Sequence, residues 1–335
     1  MSTADVATRM AEMAGWFNER FSRLVTKELG LPEQAREVIL PGRRTRVIGC
    51  LLACQAAGGE PDRAFPFAAS IEFMHKASVV RDDIVDDDKY RDGFPTLHER
   101  IGIDSAITIS DLLLSAALQL VMAEYGGGSK RTLCTLIVEA YRRMAMGQFR
   151  DAMPDAAAPG MPQAAVEFAL ETNNMKTASL VSTAFRGGAI CGGAQSETAD
   201  ALARFGSSIG DALQLLNDVG NLVGAVQHRS RRQVTNTDLR NQRNNILVAM
   251  ARSAAAYHIR ARMNDLLTQT SPLAESSIRE LRSLILASGA HKRAEAMAEA
   301  FIEDAKDALR DVSSSEAKDI LLNLCDLSTL SALVL

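Results

Sequence analysis

Apolar positions recur along most of this chain three and four residues apart, the spacing of a buried helix face. Stretches with the alternating period of a half-buried strand are missing, and Ala, Leu, Met, Arg and Glu dominate. The pattern predicts helices over roughly 5–29, 43–57, 66–88, 104–125, 130–153, 163–190, 197–225, 244–268, 275–288, 291–311 and 315–332. Gly58-Gly59, Gly126-Gly127-Gly128 and Gly192-Gly193 are expected to stop helices. Asp104 and Ser196 are expected to cap the helices that follow them. The short breaks at Gly126-Gly127-Gly128-Ser129 and Ala156-Ala157-Ala158-Pro159-Gly160 read as connections, not linkers, and no internal repeat of fixed period is visible. The expectation is one domain over 1–335, an all-α bundle with a polar site at one end of a central cavity.

One polar stretch breaks that apolar rhythm. His75-Lys76-Ala77-Ser78-Val79-Val80-Arg81-Asp82-Asp83-Ile84-Val85-Asp86 continues through Asp87 and Asp88. At about 100° per residue, Asp82 and Asp86 share one face, Asp83 sits beside them, and His75 lies about two turns below. Carboxylates about 6 Å apart would repel by about 3 kcal/mol per pair at an effective dielectric near 20. Divalent cations would relieve that repulsion, and oxygen-only ligands favour Mg²⁺ shared with substrate phosphates. The plainer alternative is a solvated acidic helix end. A second polar stripe, Gly210, Gln214, Asn217 and Asn221 with Asp218 adjacent, runs along an otherwise apolar helix. A buried stripe of that kind must be satisfied, so it is either a site or a solvated face.

Length and composition add limits. The 335 residues, 47% of them hydrophobic, suffice for one large core. A net charge of −4 and a pI near 5.8 give no reason to expect nucleic acid or an anionic surface as partner. Aromatics are only 5% of residues, too few for a stacking platform beside the basic stretch His228-Arg229-Ser230-Arg231-Arg232. Five cysteines, of which only Cys50 and Cys54 form a close i, i+4 pair and none a zinc-like pair of pairs, suggest free thiols in a reducing cytoplasm. No apolar run reaches the ~18 residues of a membrane span on this reading, and no signal-peptide core is visible.

The acidic stretch and its surroundings resemble a known family. The run from Glu72 to Asp86, then Arg91-Asp92-Gly93-Phe94-Pro95-Thr96-Leu97-His98, is similar to the first aspartate-rich region of the trans-polyprenyl diphosphate synthases. Four more matches follow that family's order: Gly42-Arg43-Arg44-Thr45-Arg46, Gly147-Gln148 with Asp151, Lys176-Thr177, and Gln214 with Asn217-Asp218-Val219-Gly220-Asn221. The resemblance implies the isoprenoid synthase helical bundle, Mg²⁺, and commonly a homodimer. It implies that Asp82, Asp83 and Asp86 hold metal opposite Asn217, Asp218 and Asn221. Lys176, Thr177 and Gln214 would line the reacting centre, and Arg91 would bind the allylic diphosphate. Arg43, Arg44 and His75 would bind the diphosphate of isopentenyl diphosphate, with Arg231 and Arg243 joining the phosphate contacts. Bland alternatives stand beside these: a solvated helix start for Arg43 to Arg46, a surface lysine for Lys176, and a basic surface loop around Arg231.

This sequence departs from the family in a consistent direction. Asn217 and Asn221 stand where the family has aspartates, which weakens the second metal wall. Asp92 replaces a second arginine, placing an anion where a phosphate is expected. Gln242-Arg243-Asn244-Asn245 replaces a lysine-bearing motif, and the basic residues at the chain end are missing. Small Ala77 and Ser78 lie one turn below Asp82, so a prenyl tail of C15 or longer is expected to fit, bounded further down by Phe73 or Met74. The expected reaction is Mg²⁺-dependent condensation of an allylic prenyl diphosphate with isopentenyl diphosphate. One alternative is transfer to another acceptor, or cyclisation, because the second phosphate site is altered. Another is a non-catalytic partner subunit.

Overall fold

The protein is described by a computed structural model that covers residues 3–152, 162–223, 237–240, 245–270 and 272–326. Sixteen helices are found among these residues. They are α1 (Thr3–Arg23), α2 (Glu33–Ile39), α3 (Thr45–Ala56), α4 (Pro61–Val85), α5 (Leu97–Ile101), α6 (Ile103–Glu124), α7 (Gly127–Asp151) and α8 (Pro162–Asn173). Then follow α9 (Ser179–Gly192), α10 (Ser196–Val223), α11 (Thr237–Arg240), α12 (Ile246–Ala254), α13 (Tyr257–Leu267), α14 (Glu275–Ala287), α15 (Ala290–Ala308) and α16 (Glu316–Asn323). Single π turns, Leu24–Glu28 and Asn174–Ala178, continue α1 and join α8 to α9. The all-α expectation holds. Its one exception among the described residues is a two-stranded antiparallel hairpin, β1 (Tyr90–Arg91) with β2 (Phe94–Pro95). Asp92 and Gly93 form its turn with φ of +50° and +89°, the left-handed pair that tight hairpins require.

The core is a stack in which α4 packs on α6 and α3, α3 on α9, α9 on α10, and α10 on α15. Close backbone approach holds the middle of the stack together. A Cβ on Gly188 would lie 2.1 Å from the Cys50 carbonyl oxygen, and one on Gly187 would meet the Phe67 ring. Phe185 fills the space left by Gly49 and Gly206 on the flanking helices.

Several element boundaries differ from the expectation, each for a physical reason. The helix expected from 66 begins at Pro61 and runs through Pro66. A hydroxyl replaces one of its ladder bonds: Tyr125 Oη accepts from Phe67 N–H at 3.1 Å and donates to the Arg63 carbonyl at 2.8 Å. Inserting a side chain between i and i+4 in this way lets a helix continue near a proline. The expected helix over 244–268 breaks at Ala255 and Ala256, both extended. Arg260 takes up the freed carbonyls of Arg252 and Ala255 at 2.9 and 3.1 Å. Asp104 lies inside α6, whose cap position is Gly102, and Ser196 is the first residue of α10. Gly126 and Gly127 open α7 instead of closing α6. Helix α6 is long and apolar enough to cross a membrane, with a mean hydropathy of 1.8, which corrects the reading that no stretch is. It packs along α4, α5 and α7.

Gly188→Ala should force α3 and α9 apart. Denaturant unfolding is expected to show a loss of about 1–3 kcal/mol, the usual cost of overpacking. An unchanged midpoint would mean that the crossing is not tight.

Candidate active site

The C-terminal half of α4 places its polar residues along one wall of a cavity of about 560 Å³. Asp82 lies at the polar end, and Ala77, Ser78, Ile84 and Val85 continue the wall. Ile107 and Leu114 of α6 and Tyr141, Met144 and Phe149 of α7 complete it. A second cavity of about 390 Å³ lies on the other side of α4, lined by Arg43, Arg46, His75, Lys76, Arg91 and Asp92 together with Gln214 and Asn217. Arg46, His75, Val79 and Thr177 line both spaces.

The Asn174–Ala178 π turn positions Lys176 and Thr177 at this junction. Its wide coil is clamped by two glycines: a Cβ on Gly147 would sit 2.6 Å from the Lys176 amide nitrogen, and one on Gly210 would sit 2.8 Å from the Ala178 Cα. Single π turns of this type often mark functional positions in helices. Lys176 Nζ lies 2.7 Å from Asp151 Oδ2 and 3.1 Å from Asp82 Oδ1, so one ammonium joins α7 to α4. Thr177 Oγ1 donates to Gln214 Oε1 at 3.0 Å.

The other aspartates of α4 are used differently. Asp83, expected to face the metal, is buried behind the helix, where Arg91 Nε donates to its Oδ1 at 2.6 Å. Burial pushes its carboxyl up to about 6 against the opposing pull of Arg91, and Asp82 and Asp86 add to the rise. The same burial raises Asp88 to about 6. Burial disfavours the charge on Arg91, yet Asp83, Asp82 and Asp88 raise its pKa above the ordinary arginine value. Asp86 closes α4 with its N–H on the Asp82 carbonyl at 2.9 Å.

The basic cavity also sorts its arginines. Arg44, expected on the second diphosphate, is only 3% exposed. Its guanidinium is spent on Glu72, the Leu40 carbonyl and Asn18, the last at 2.7 Å, so it serves the core. Arg46 is the residue that reaches the junction, 3.5 Å from His75 Nε2, and its Nε has no hydrogen-bond partner. Burial first, then Arg46, Lys76, Arg91 and Arg44, hold His75 well below the usual imidazole range, so it is neutral at pH 7. Lys76 donates to the Val38 and Pro41 carbonyls. Arg43 is exposed at the rim. Arg231 and Arg243 lie outside the described residues.

The opposite wall on α10 is internally satisfied. Asp218 accepts from Gln214 Nε2 at 2.9 Å on one oxygen and from Asn173 Nδ2 at 3.3 Å on the other. Among the described residues no three His, Cys, Asp or Glu side chains converge as a ready metal site. Mg²⁺ needs only one or two carboxylates when phosphates and waters complete its shell. The α4 wall fits that demand, because Asp82, whose Oδ1 already meets the Lys176 ammonium at 3.1 Å, and Asp86 one turn later set two carboxylates at the same end of the helix. The α10 wall fits it less well, since amide hydrogens occupy both oxygens of Asp218.

Sequence reasoning passed over Arg46, Asn173 and the part played by Asp151, although Arg46 and Asp151 stood within quoted matches. Nothing in the sequence distinguishes Arg44 from Arg46. Their roles follow from the left-handed turn at Arg44, φ +61°.

An apolar cavity under a carboxylate and a lysine, beside a cavity walled by cations, defines a class of enzyme that handles apolar chains bearing an anionic head. The family model described as polyprenyl synthetase matches residues 30–285. A short chain isoprenyl diphosphate synthase of Methanothermobacter thermautotrophicus is 27% identical over 326 residues, which is 97% of this chain and 98% of the relative. A geranylfarnesyl diphosphate synthase of Aeropyrum pernix is 32% identical over 293 residues, covering 85% and 89%. The crystal structure of a geranylgeranyl pyrophosphate synthetase from Pyrococcus horikoshii has a TM-score of 0.85 at 28% identity, covering 97% and 98% of the two chains. The chain belongs to the polyprenyl synthetase family and has its helical-bundle fold. It is a prenyltransferase of the trans-prenyl diphosphate synthase type.

Gly147→Ala tests the placement of Lys176. Displacing the turn by about 1 Å should lower turnover of an allylic diphosphate about 100-fold while the helical circular dichroism persists. Unchanged turnover would show that the turn need not sit where the glycine lets it.

Proposed function

We propose that this enzyme condenses an allylic prenyl diphosphate with isopentenyl diphosphate and depends on Mg²⁺. The supporting observation is the shared wall of the two cavities. Arg46, His75, Val79 and Thr177 face both spaces, so a tail seated in the larger one and an acceptor in the smaller one meet at their reactive ends. Asp82 and Asp86 would hold Mg²⁺, which when bound neutralises the charge of a departing diphosphate. Lys176 adds a fixed cation at the same end, where a preorganised charge is worth most because it needs no reorientation. Arg43 and Arg46 grip the second diphosphate, and neutral His75 accepts from Arg46 through Nε2, which leaves its proton on Nδ1. The apolar side chains of α4, α6 and α7 exclude water from the tail and from a developing allylic cation.

The proposal includes a cytoplasmic location, supported by five cysteines that are all free thiols. It includes a homodimer, supported by exposed apolar side chains on adjoining α6 and α7, among them Ile103, Met122, Val138 and Phe149.

A second reading, transfer to a different acceptor, is favoured by one observation: Asp92 lines the acceptor cavity, facing Lys76. One assay separates the two. The protein is incubated with Mg²⁺ and C10, C15 or C20 allylic diphosphate, with and without isopentenyl diphosphate, while diphosphate release and product mass are followed. The first reading expects elongation only when isopentenyl diphosphate is present. Release without it, giving an alcohol or hydrocarbon, would favour the second. Asp92→Arg should lower the KM for isopentenyl diphosphate severalfold, because a cation replaces an anion beside the phosphate. An unchanged KM would mean that Asp92 does not face that phosphate.

A further inference from the structure

The larger cavity does not end where the sequence placed its floor. Phe73 and Met74 do not line it; both are 1% exposed, and the Phe73 ring packs on Phe21 with centroids 5.0 Å apart. On the face of α4 turned to α6 and α7, the lining stops at Ala77. Moving inward from the polar end, it stops at Leu114 on antiparallel α6 and at Tyr141 on α7. One side chain ties these three helices together at that depth. Arg81 Nε donates to Ser110 Oγ at 2.9 Å, its Nη1 to Tyr141 Oη at 3.1 Å, and its Nη2 to Asp111. Ser110 Oγ in turn donates to the Ala77 carbonyl at 3.1 Å.

The arginine beside the aspartates therefore does not serve phosphate binding. Each of its three nitrogens is committed to a protein acceptor, two of them on α6 and one on α7. A guanidinium engaged in this way is a polar bar across an otherwise apolar space. The Asp111 end of this bar is exposed, the two side chains being 39% and 60% accessible, so the barrier lies in the inner bonds to Ser110 and Tyr141, which a tail end pressed against the guanidinium must break or stop short of. We infer that Arg81, held by Ser110, Asp111 and Tyr141, closes the inner end of the tail cavity and sets the longest prenyl chain the enzyme makes or accepts. This inference rests on the prenyl-chain reading above. It assigns to Arg81 the limit that small Ala77 and Ser78 leave open.

The test compares wild type with Arg81→Ala and Tyr141→Phe in two measurements. One is the product mass profile from isopentenyl diphosphate and allylic primers. The other is the affinity for unreactive prenyl thiolodiphosphates of increasing length, measured by calorimetry. Arg81→Ala should extend the longest product by at least one isoprene unit. It should also tighten binding of the first analogue that wild type disfavours by about tenfold or more, a factor that burying two further methylene-sized groups supplies. Tyr141→Phe keeps the ring, removes one bond of the bar, and should shift both readouts the same way by less; it carries the test if Arg81→Ala does not fold. An active wild type whose length profile is identical in both variants overturns the assignment of Arg81. A wild type that neither binds nor elongates any prenyl diphosphate overturns this inference together with the functional reading.

Discussion

The site depends on one ammonium group. Lys176 stands between Asp82 of α4 and Asp151 of α7, and it reaches both only because a π turn lifts it out of the regular helical path. A charge at that depth is tolerable when carboxylates share it, and the two carboxylates are tolerable for the same reason. The turn exists because Gly147 and Gly210 leave room for it on either side. A backbone detail on α7 and α10 thus fixes where the polar end of the larger cavity lies. It also fixes where that cavity meets the basic one.

Around this centre the two helices that carry polar stripes have diverged. The α4 stripe places Asp82 on the wall of the larger cavity, its Oδ1 shared with the Lys176 ammonium. The α10 stripe has turned inward: Thr177, Gln214, Asp218 and Asn173 form a closed chain of hydrogen bonds. Replacing aspartates by Asn217 and Asn221 removes like-charge repulsion that a metal would otherwise have to balance. The basic cavity is sorted in a similar way, since the Arg44–Glu72 pair is buried in the core while Arg43, Arg46, Lys76 and Arg91 line the space.

Much of this was legible in the sequence. The helical period points to the all-α fold, and the helical spacing of Asp82, Ala77 and Ser78 places them together on one wall, where all three line the larger cavity. What escaped was decided by contacts distant along the chain. Pro66 looked like a helix start, yet the Tyr125 hydroxyl, 58 residues away, repairs the ladder there. Ala255 and Ala256 are strong helix formers, but Arg260 stabilises a break between them. Asp83 and Asp82 are neighbours with opposite fates, because a 100° step turns one to the cavity and the other to Arg91. The Asp92-Gly93 turn was readable as a hairpin signal.

The central claim is that the capacity to bind metal and diphosphate resides on the α4 wall, with α10 acting as a self-satisfied partner. Calorimetric titration of Mg²⁺ with an unreactive allylic thiolodiphosphate into wild type, Asp82→Asn and Asp218→Asn tests it most directly. The account predicts a loss of about tenfold or more in affinity for Asp82→Asn and less than about threefold for Asp218→Asn. An equal or larger loss in Asp218→Asn would contradict it.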